Sequence, residues 1–109
     1  MKELKTVNEW SDVLKNSEEG PLLVLKHSTT CPVSAAAYNE FESSAKDIPK
    51  YFLKVRESRP VSNEIESDLR VVHESPQLFL LKDGKAIWQA THYSISKSKI
   101  EKAAEDYGK

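Results

Sequence analysis

Two short runs consist of large aliphatic and aromatic residues at every position, Leu22-Leu23-Val24-Leu25 and Leu78-Phe79-Leu80-Leu81. A strand with one face in water alternates, whereas a strand covered on both faces reads as a continuous apolar run. Both runs therefore predict strands buried inside a sheet. Helical spacing fills much of the remainder. Thr6 with Glu9 three residues later forms a capping box, and Val7, Trp10, Val13 and Leu14 then share one helical face. Gly20-Pro21 ends that helix.

Pro32 suits the first turn of a second helix, where its missing N–H is not needed, and Val33, Ala36, Ala37 and Phe41 supply its core face. Pro49 breaks the pattern, and Leu53 and Val55 alternate with Lys54 and Arg56, predicting a strand over residues 51–57. Pro60 opens a third helix on Val61, Ile65 and Leu69. Asp83-Gly84 between the second apolar run and the segment Ala86 to Ala90 is a strong hairpin signal. Ser96 caps a last helix carrying Ile100, Ala103, Ala104 and Tyr107, with Gly108 as its C-cap.

The predicted order is α-β-α-β-α-β-β-α. Apolar runs joined through helices imply parallel pairing, and the hairpin adds an antiparallel edge. The fold class is therefore α/β, a mixed central sheet with helices on both faces. Trp10, Phe79 and Trp88 fall on core-facing positions, and the lysines of the last helix fall on a solvated face.

The length of 109 residues suits a single domain spanning 1–109. The net charge is −1, with both signs interleaved and no basic stripe, which argues against a nucleic-acid partner. No apolar run approaches the roughly 20 residues that span a bilayer, and the amino terminus lacks a signal-peptide core; a cytoplasmic protein is expected.

The chain has one cysteine, Cys31. An internal disulfide is impossible, and a zinc site built on several cysteines is excluded, so no metal is expected. Cys31 falls where the first buried strand gives way to a helix. Helix amides and the positive end of the helix dipole then face the sulfur and favour thiolate, the nucleophilic form. Thr30 and Ser34 are close enough in sequence to donate hydrogen bonds to it. Ser34 stands three residues after Cys31, where a C-x-x-C pair would place its resolving cysteine. One sulfur can attack a disulfide but must then carry the adduct until a second thiol removes it. Ser75-Pro76 precedes the second apolar run, and a cis proline there would lay neighbouring backbone beside a docked thiol or peptide. His27 and His92 sit at strand ends that could approach Cys31, where either could favour thiolate or shuttle a proton. A solvated or core-edge role is the alternative for both, and His73 reads as structural.

These features together resemble the thioredoxin superfamily. Within it, Lys26-His27-Ser28-Thr29-Thr30-Cys31-Pro32-Val33-Ser34 is similar to the TCPIS signature of monothiol bacilliredoxins, with Val33 in place of isoleucine. Ser75-Pro76-Gln77, the Lys-Asp-Gly hairpin and Thr91-His92-Tyr93-Ser94-Ile95 fit the same pattern. The resemblance implies a thioredoxin-like fold and a thiol–disulfide oxidoreductase that removes bacillithiol, or a similar small thiol, from S-thiolated client proteins. It implies no bound cofactor, with bacillithiol as thiol co-substrate. Cys31 would be the nucleophile and Pro76 the cis proline, with Thr30, Pro32, Ser34, Ser75 and His92 lining or supporting the site. Thioredoxins carry a buried acid six residues before the nucleophile. Leu25 stands there in this chain, so proton transfer would rely on solvent or another group.

Two readings from other classes compete. An iron–sulfur carrier of the monothiol-glutaredoxin type uses one cysteine and an external thiol, but those proteins carry glycine where this chain has Pro32. A non-catalytic thioredoxin-like binding module would leave Cys31 inert.

Overall fold

The computed structural model describes residues 1–107; Gly108, the expected C-cap, lies outside the described residues. Five strands form one sheet: β1 (Lys2–Glu3), β2 (Leu22–His27), β3 (Lys50–Lys54), β4 (Gln77–Lys82) and β5 (Lys85–Thr91). Their spatial order is β1-β3-β2-β4-β5. Four helices cover it: α1 (Val7–Asn16), α2 (Pro32–Glu42), α3 (Arg59–Leu69) and α4 (Lys97–Tyr107). Among the described residues no helix is long and apolar enough to cross a membrane.

The two apolar runs are the middle of the sheet, and each side chain is committed by the two-residue repeat. Leu22 and Val24 of β2, with Phe79 and Leu81 of β4, pack against Trp10 and Val13 of α1 and Val61 and Ile65 of α3. Leu23 and Leu25, with Leu78 and Leu80, pack on the other face against Ala37 and Phe41 of α2 and Ile100 and Ala103 of α4. Burying one such leucine is worth roughly 2 kcal/mol, so these eight positions anchor the domain.

The two runs do not pair in parallel as their helical connection implied. β2 pairs in parallel with β3, and antiparallel with β4 in the register Lys26↔Gln77, Leu25↔Leu78 and Val24↔Phe79. The reason lies in the connection: β3 takes the parallel place beside β2. The chain then passes through α3, turns at Arg70 in the left-handed conformation (φ 56°), and re-enters the sheet after the 71–76 segment. β4 thus starts at the end where β2 finishes.

Three local expectations also change. Strand β3 stops at Lys54, because residues 55–58 close a turn in which the Ser58 N–H bonds the Lys54 carbonyl at 2.8 Å. In α2 the buried residues are Ser34, Ala37 and Phe41, while Ala36 is exposed and Val33 half-buried. The edge strand β1 and a 3-10 turn at His92–Ser94 carry too few residues to show a period.

The Thr6–Glu9 capping box is present, each side chain bonding the other's backbone N–H at 3.1 Å. The hairpin is a two-residue turn in which both Asp83 (φ 53°) and Gly84 (φ 74°) are left-handed, as a type I′ turn requires. A Cβ at Gly84 would meet nothing within 4 Å. Gly84→Ala therefore isolates the conformational penalty, and urea unfolding is expected to show a loss of about 1 kcal/mol with no change in slope.

Candidate functional site

The last residue of β2 is His27, and four residues later the chain reaches Cys31, the N-cap of α2. Cys31 is in extended backbone conformation (φ −105°, ψ 121°); its N–H bonds the Ser28 carbonyl at 3.4 Å and its carbonyl accepts the Ala35 N–H at 3.0 Å. Pro32 occupies the first turn, as expected, and is exposed. The Cys31 thiol is free, half-buried, and makes no capping hydrogen bond. Its sulfur stands at the positive end of an 11-residue helix with no protein partner among the described residues.

The hydroxyls expected to donate to that sulfur do something else. Thr30 is exposed and makes no side-chain hydrogen bond among the described residues. Ser34 is fully buried; its Oγ accepts the Ser28 N–H at 2.8 Å and lies 2.8 Å from His27 Nδ1. Burial, and then the nearby Lys54 cation, hold His27 below its ordinary value, so the ring is neutral near pH 7. We assign the Ser34 hydroxyl as donor to Nδ1, because its single proton has no other acceptor among the described residues. His27 in turn lies against Tyr38 of α2, ring centroids 4.9 Å apart, and Tyr38 meets Phe52 of β3 edge-on. Ser34 thus closes the Ser28–Cys31 turn and ties it to strand and helix. Sequence spacing placed it near the sulfur, but the helix turns position 34 inward, beside the core residues Ala37 and Phe41.

The second wall comes from the entry to β4. The Ser75–Pro76 bond is cis, and Pro76 is buried. The Lys26↔Gln77 register sets Pro76 abreast of His27, at the end of the sheet from which the Cys31 turn emerges. The Ser75 hydroxyl is buried and has no hydrogen-bond partner among the described residues. A buried hydroxyl left unpaired costs free energy unless another molecule completes it. His92, left-handed at φ 49°, donates its N–H to the Pro76 carbonyl at 3.0 Å, so the 3-10 turn flanks the same segment. Its ring is paired with Glu74, Nδ1 to Oε2 3.2 Å, with both side chains about half exposed. The residues predicted for the site therefore group around two adjacent chain segments, 28–34 and 74–76, with His92 bonded to the second.

Sequence reading missed two polar side chains here: Lys26 is fully buried beside His73, and Gln77 is buried against the 72–74 backbone. His27, which sequence position placed at a strand end near Cys31, is tied to Ser34. The available signal was Lys26-His27 directly continuing an apolar strand, where two more apolar residues would ordinarily serve.

A family model described as monothiol bacilliredoxin BrxC matches residues 2–100. Among solved structures, a thioredoxin-fold protein for which an oxidoreductase role has been suggested superposes with a TM-score of 0.84 at 36% identity, covering 93% of this chain and 90% of that one. Thioredoxin from Fasciola hepatica superposes with a TM-score of 0.78 at 15% identity, covering 96% of this chain and 97% of that one. Thioredoxin from Plasmodium falciparum gives 0.78 at 14% identity, covering 99% of this chain and all of that one (100%). The architecture is thus the thioredoxin fold.

Two outcomes follow from the Ser34 network. Ser34→Ala leaves the Ser28 amide without its partner, and is expected to lower stability by roughly 1–3 kcal/mol and to speed hydrogen exchange at that amide. Because His27 titrates below its ordinary value of 6.5 in the folded chain, the unfolded chain binds more protons just below that pH. Its contribution to stability is therefore lost as the pH falls through about 6.5 and is constant above it. Urea unfolding against pH should show a shallower acid-side fall in His27→Phe than in the wild type.

Proposed function

From its membership of the monothiol bacilliredoxin family, we propose that this chain is a thiol–disulfide oxidoreductase that removes bacillithiol, or a small thiol of the same kind, from S-thiolated cytoplasmic proteins. The observation that carries this reading is one free cysteine at the N-cap of α2, with a buried serine in the position of a resolving cysteine.

The chemistry follows from that arrangement. The Cys31 thiolate attacks the small-thiol sulfur of a client's mixed disulfide. The new bond joins Cys31 to the small thiol, the old S–S bond breaks, and the client leaves as a thiolate that takes a proton from solvent. Amides of the first turn of α2 and the helix dipole favour the charged sulfur before attack. Ser34 has an oxygen where a second sulfur would resolve the adduct, so the cycle pauses there. A second molecule of small thiol attacks the adduct, regenerates the Cys31 thiolate and departs as a low-molecular-weight disulfide. Ser75 and Pro76 form the wall against which the disulfide lies, and the unpaired Ser75 hydroxyl supplies a donor. Thr30, exposed beside Cys31, borders the approach, Pro32 stiffens the turn, and His92 braces the Pro76 carbonyl from behind.

Intact mass spectrometry tests the reading. Incubation with a protein bearing bacillithiol on one cysteine is expected to add one bacillithiol mass to the wild type and to free the client. The adduct should persist until fresh small thiol is supplied. Cys31→Ser should transfer nothing. Ser34→Cys should shorten the life of the adduct, if the two sulfurs reach bonding geometry. A wild type that never accumulates the adduct, or a Cys31→Ser chain that frees the client equally well, overturns the proposal.

A further inference from the structure

Lys26 is the anomaly of the sheet. It follows four apolar residues in β2, is fully buried, and lies on the α1/α3 face, with Leu53 of β3 and Gln77 of β4 as its register partners. A lysine ammonium out of water is expensive, and a hydrophobic residue of similar volume in its place is often neutral or stabilising. Stability alone gives no reason for a charge at this point.

Its contacts do. Nζ is 2.8 Å from Nδ1 of His73, a residue of the segment between α3 and Pro76. The same Nδ1 lies 3.3 Å from Ser62 Oγ of α3, and the His73 N–H donates to Glu66 Oε2 at 2.5 Å. An ammonium is a donor only, so Nδ1 accepts and the His73 ring is neutral. Gln77 holds the same segment from the neighbouring strand. Its Oε1 accepts the Glu74 N–H at 3.1 Å, and its Nε2 donates to the Val72 carbonyl at 3.3 Å and to Gln89 Oε1 at 3.2 Å. Gln77 is itself 1% exposed. Two buried polar side chains, adjacent across β2 and β4, thus grip residues 72–74 just before the chain passes Ser75 and Pro76 beside the Cys31 turn.

We propose that Lys26 is a positioning residue: acting through His73, and alongside Gln77, it fixes the 72–76 segment against the end of β2 and so sets the wall on which a disulfide is held for attack by Cys31. This rests on the exchange chemistry proposed above. Lys26 acts on the wall and leaves the nucleophile alone. The β2 residue tied to the Cys31 turn is His27, whose side chain alternates to the opposite face.

The grip depends on charge. Glu66 of α3 and His73 are the titratable groups that face Lys26; Lys26, Glu66 and Arg59 of α3, and Glu74 of its own segment, face His73. Burial lowers the Lys26 ammonium to about 8, with Glu66 opposing, and burial and then the Lys26 charge hold His73 below its ordinary value. Protonating His73 removes the acceptor and sets two cations together, while deprotonating Lys26 replaces a charge-assisted bond with a neutral one. The grip is therefore tightest between these two titrations.

Lys26→Met separates the possibilities. The variant is expected to fold, with an unfolding midpoint in urea equal to or above that of the wild type. Iodoacetamide, which needs no docking wall, should alkylate Cys31 at a rate within about twofold of wild type across pH. Transfer from the bacillithiol-bearing client should slow by about tenfold or more, because misplacement of a docking surface by an ångström carries a penalty of that order. The ratio of wild-type to variant transfer should peak between the His73 and Lys26 titrations and fall as the pH rises through about 8. Adding His73→Ala to Lys26→Met should cause little further loss, since both act through one contact. Lys26→Gln, which keeps a neutral donor, should fall between the two, with a ratio to Lys26→Met that does not change through pH 8.

Wild-type transfer rates in Lys26→Met overturn the proposal. So does equal loss of transfer and alkylation, which would place Lys26 on the nucleophile's side. If Lys26→Met and Lys26→Gln both fail to fold, Lys26 is structural and the proposal is wrong. Hydrogen exchange gives a readout independent of the exchange reading. The His73 and Glu74 amides should exchange faster in Lys26→Met even if the wild type transfers no thiol, and unchanged exchange there refutes the positioning role by itself.

Discussion

The antiparallel pairing of β2 with β4 is the constraint on which the candidate site depends. Cys31 can be presented at the end of β2 by any helix that starts there. A second wall requires another chain segment at the same end, and a parallel β4 would have entered the sheet at the far end. The Lys26↔Gln77 register brings Ser75 and Pro76 abreast of His27. Eight buried residues of the two apolar runs hold that register, and a slip of one strand by one position would turn its four to the opposite face.

At the end of the sheet the apolar rule is abandoned. Leu25 and Leu78 close the hydrophobic part of the central pair, and beyond them lie Lys26, His27, Gln77 and, from α2, Ser34. Each is buried or half-buried and each is hydrogen-bonded. They divide by face. His27 and Ser34 secure the Cys31 turn on the α2 side, while Lys26 and Gln77 secure the segment before Pro76 on the α3 side. Apolar packing is broad and non-directional, whereas hydrogen bonds specify an angle and a distance. Two chain segments set in fixed positions at one end of the sheet call for the second kind of force.

Ser34 shows how a one-cysteine site differs from a two-cysteine one. The Ser34 oxygen is bound to the Ser28 amide and paired with His27. The position where a C-x-x-C pair would carry its second cysteine instead holds the turn that leads to Cys31.

The sequence by itself determined most of the elements and their boundaries. The capping box, the two apolar runs, Pro32 at the start of α2 and the Asp83-Gly84 turn are written in adjacent residues, because their causes act within one turn or one strand. It also placed Cys31 at a helix start, a local property, and marked the resemblance to monothiol bacilliredoxins. Tertiary structure alone decided the direction of β4 and the partners of the polar side chains. Lys26 meets His73 across 47 residues of sequence, and the orientation that allows it is chosen by packing of both sheet faces at once. Ser34 turned inward for the same kind of reason. Its three-residue spacing from Cys31 is local, but the inward face of α2 is fixed by the sheet against which Ala37 and Phe41 pack. Short-range pattern specifies what a segment is, and which side chains meet depends on a core that no single segment encloses.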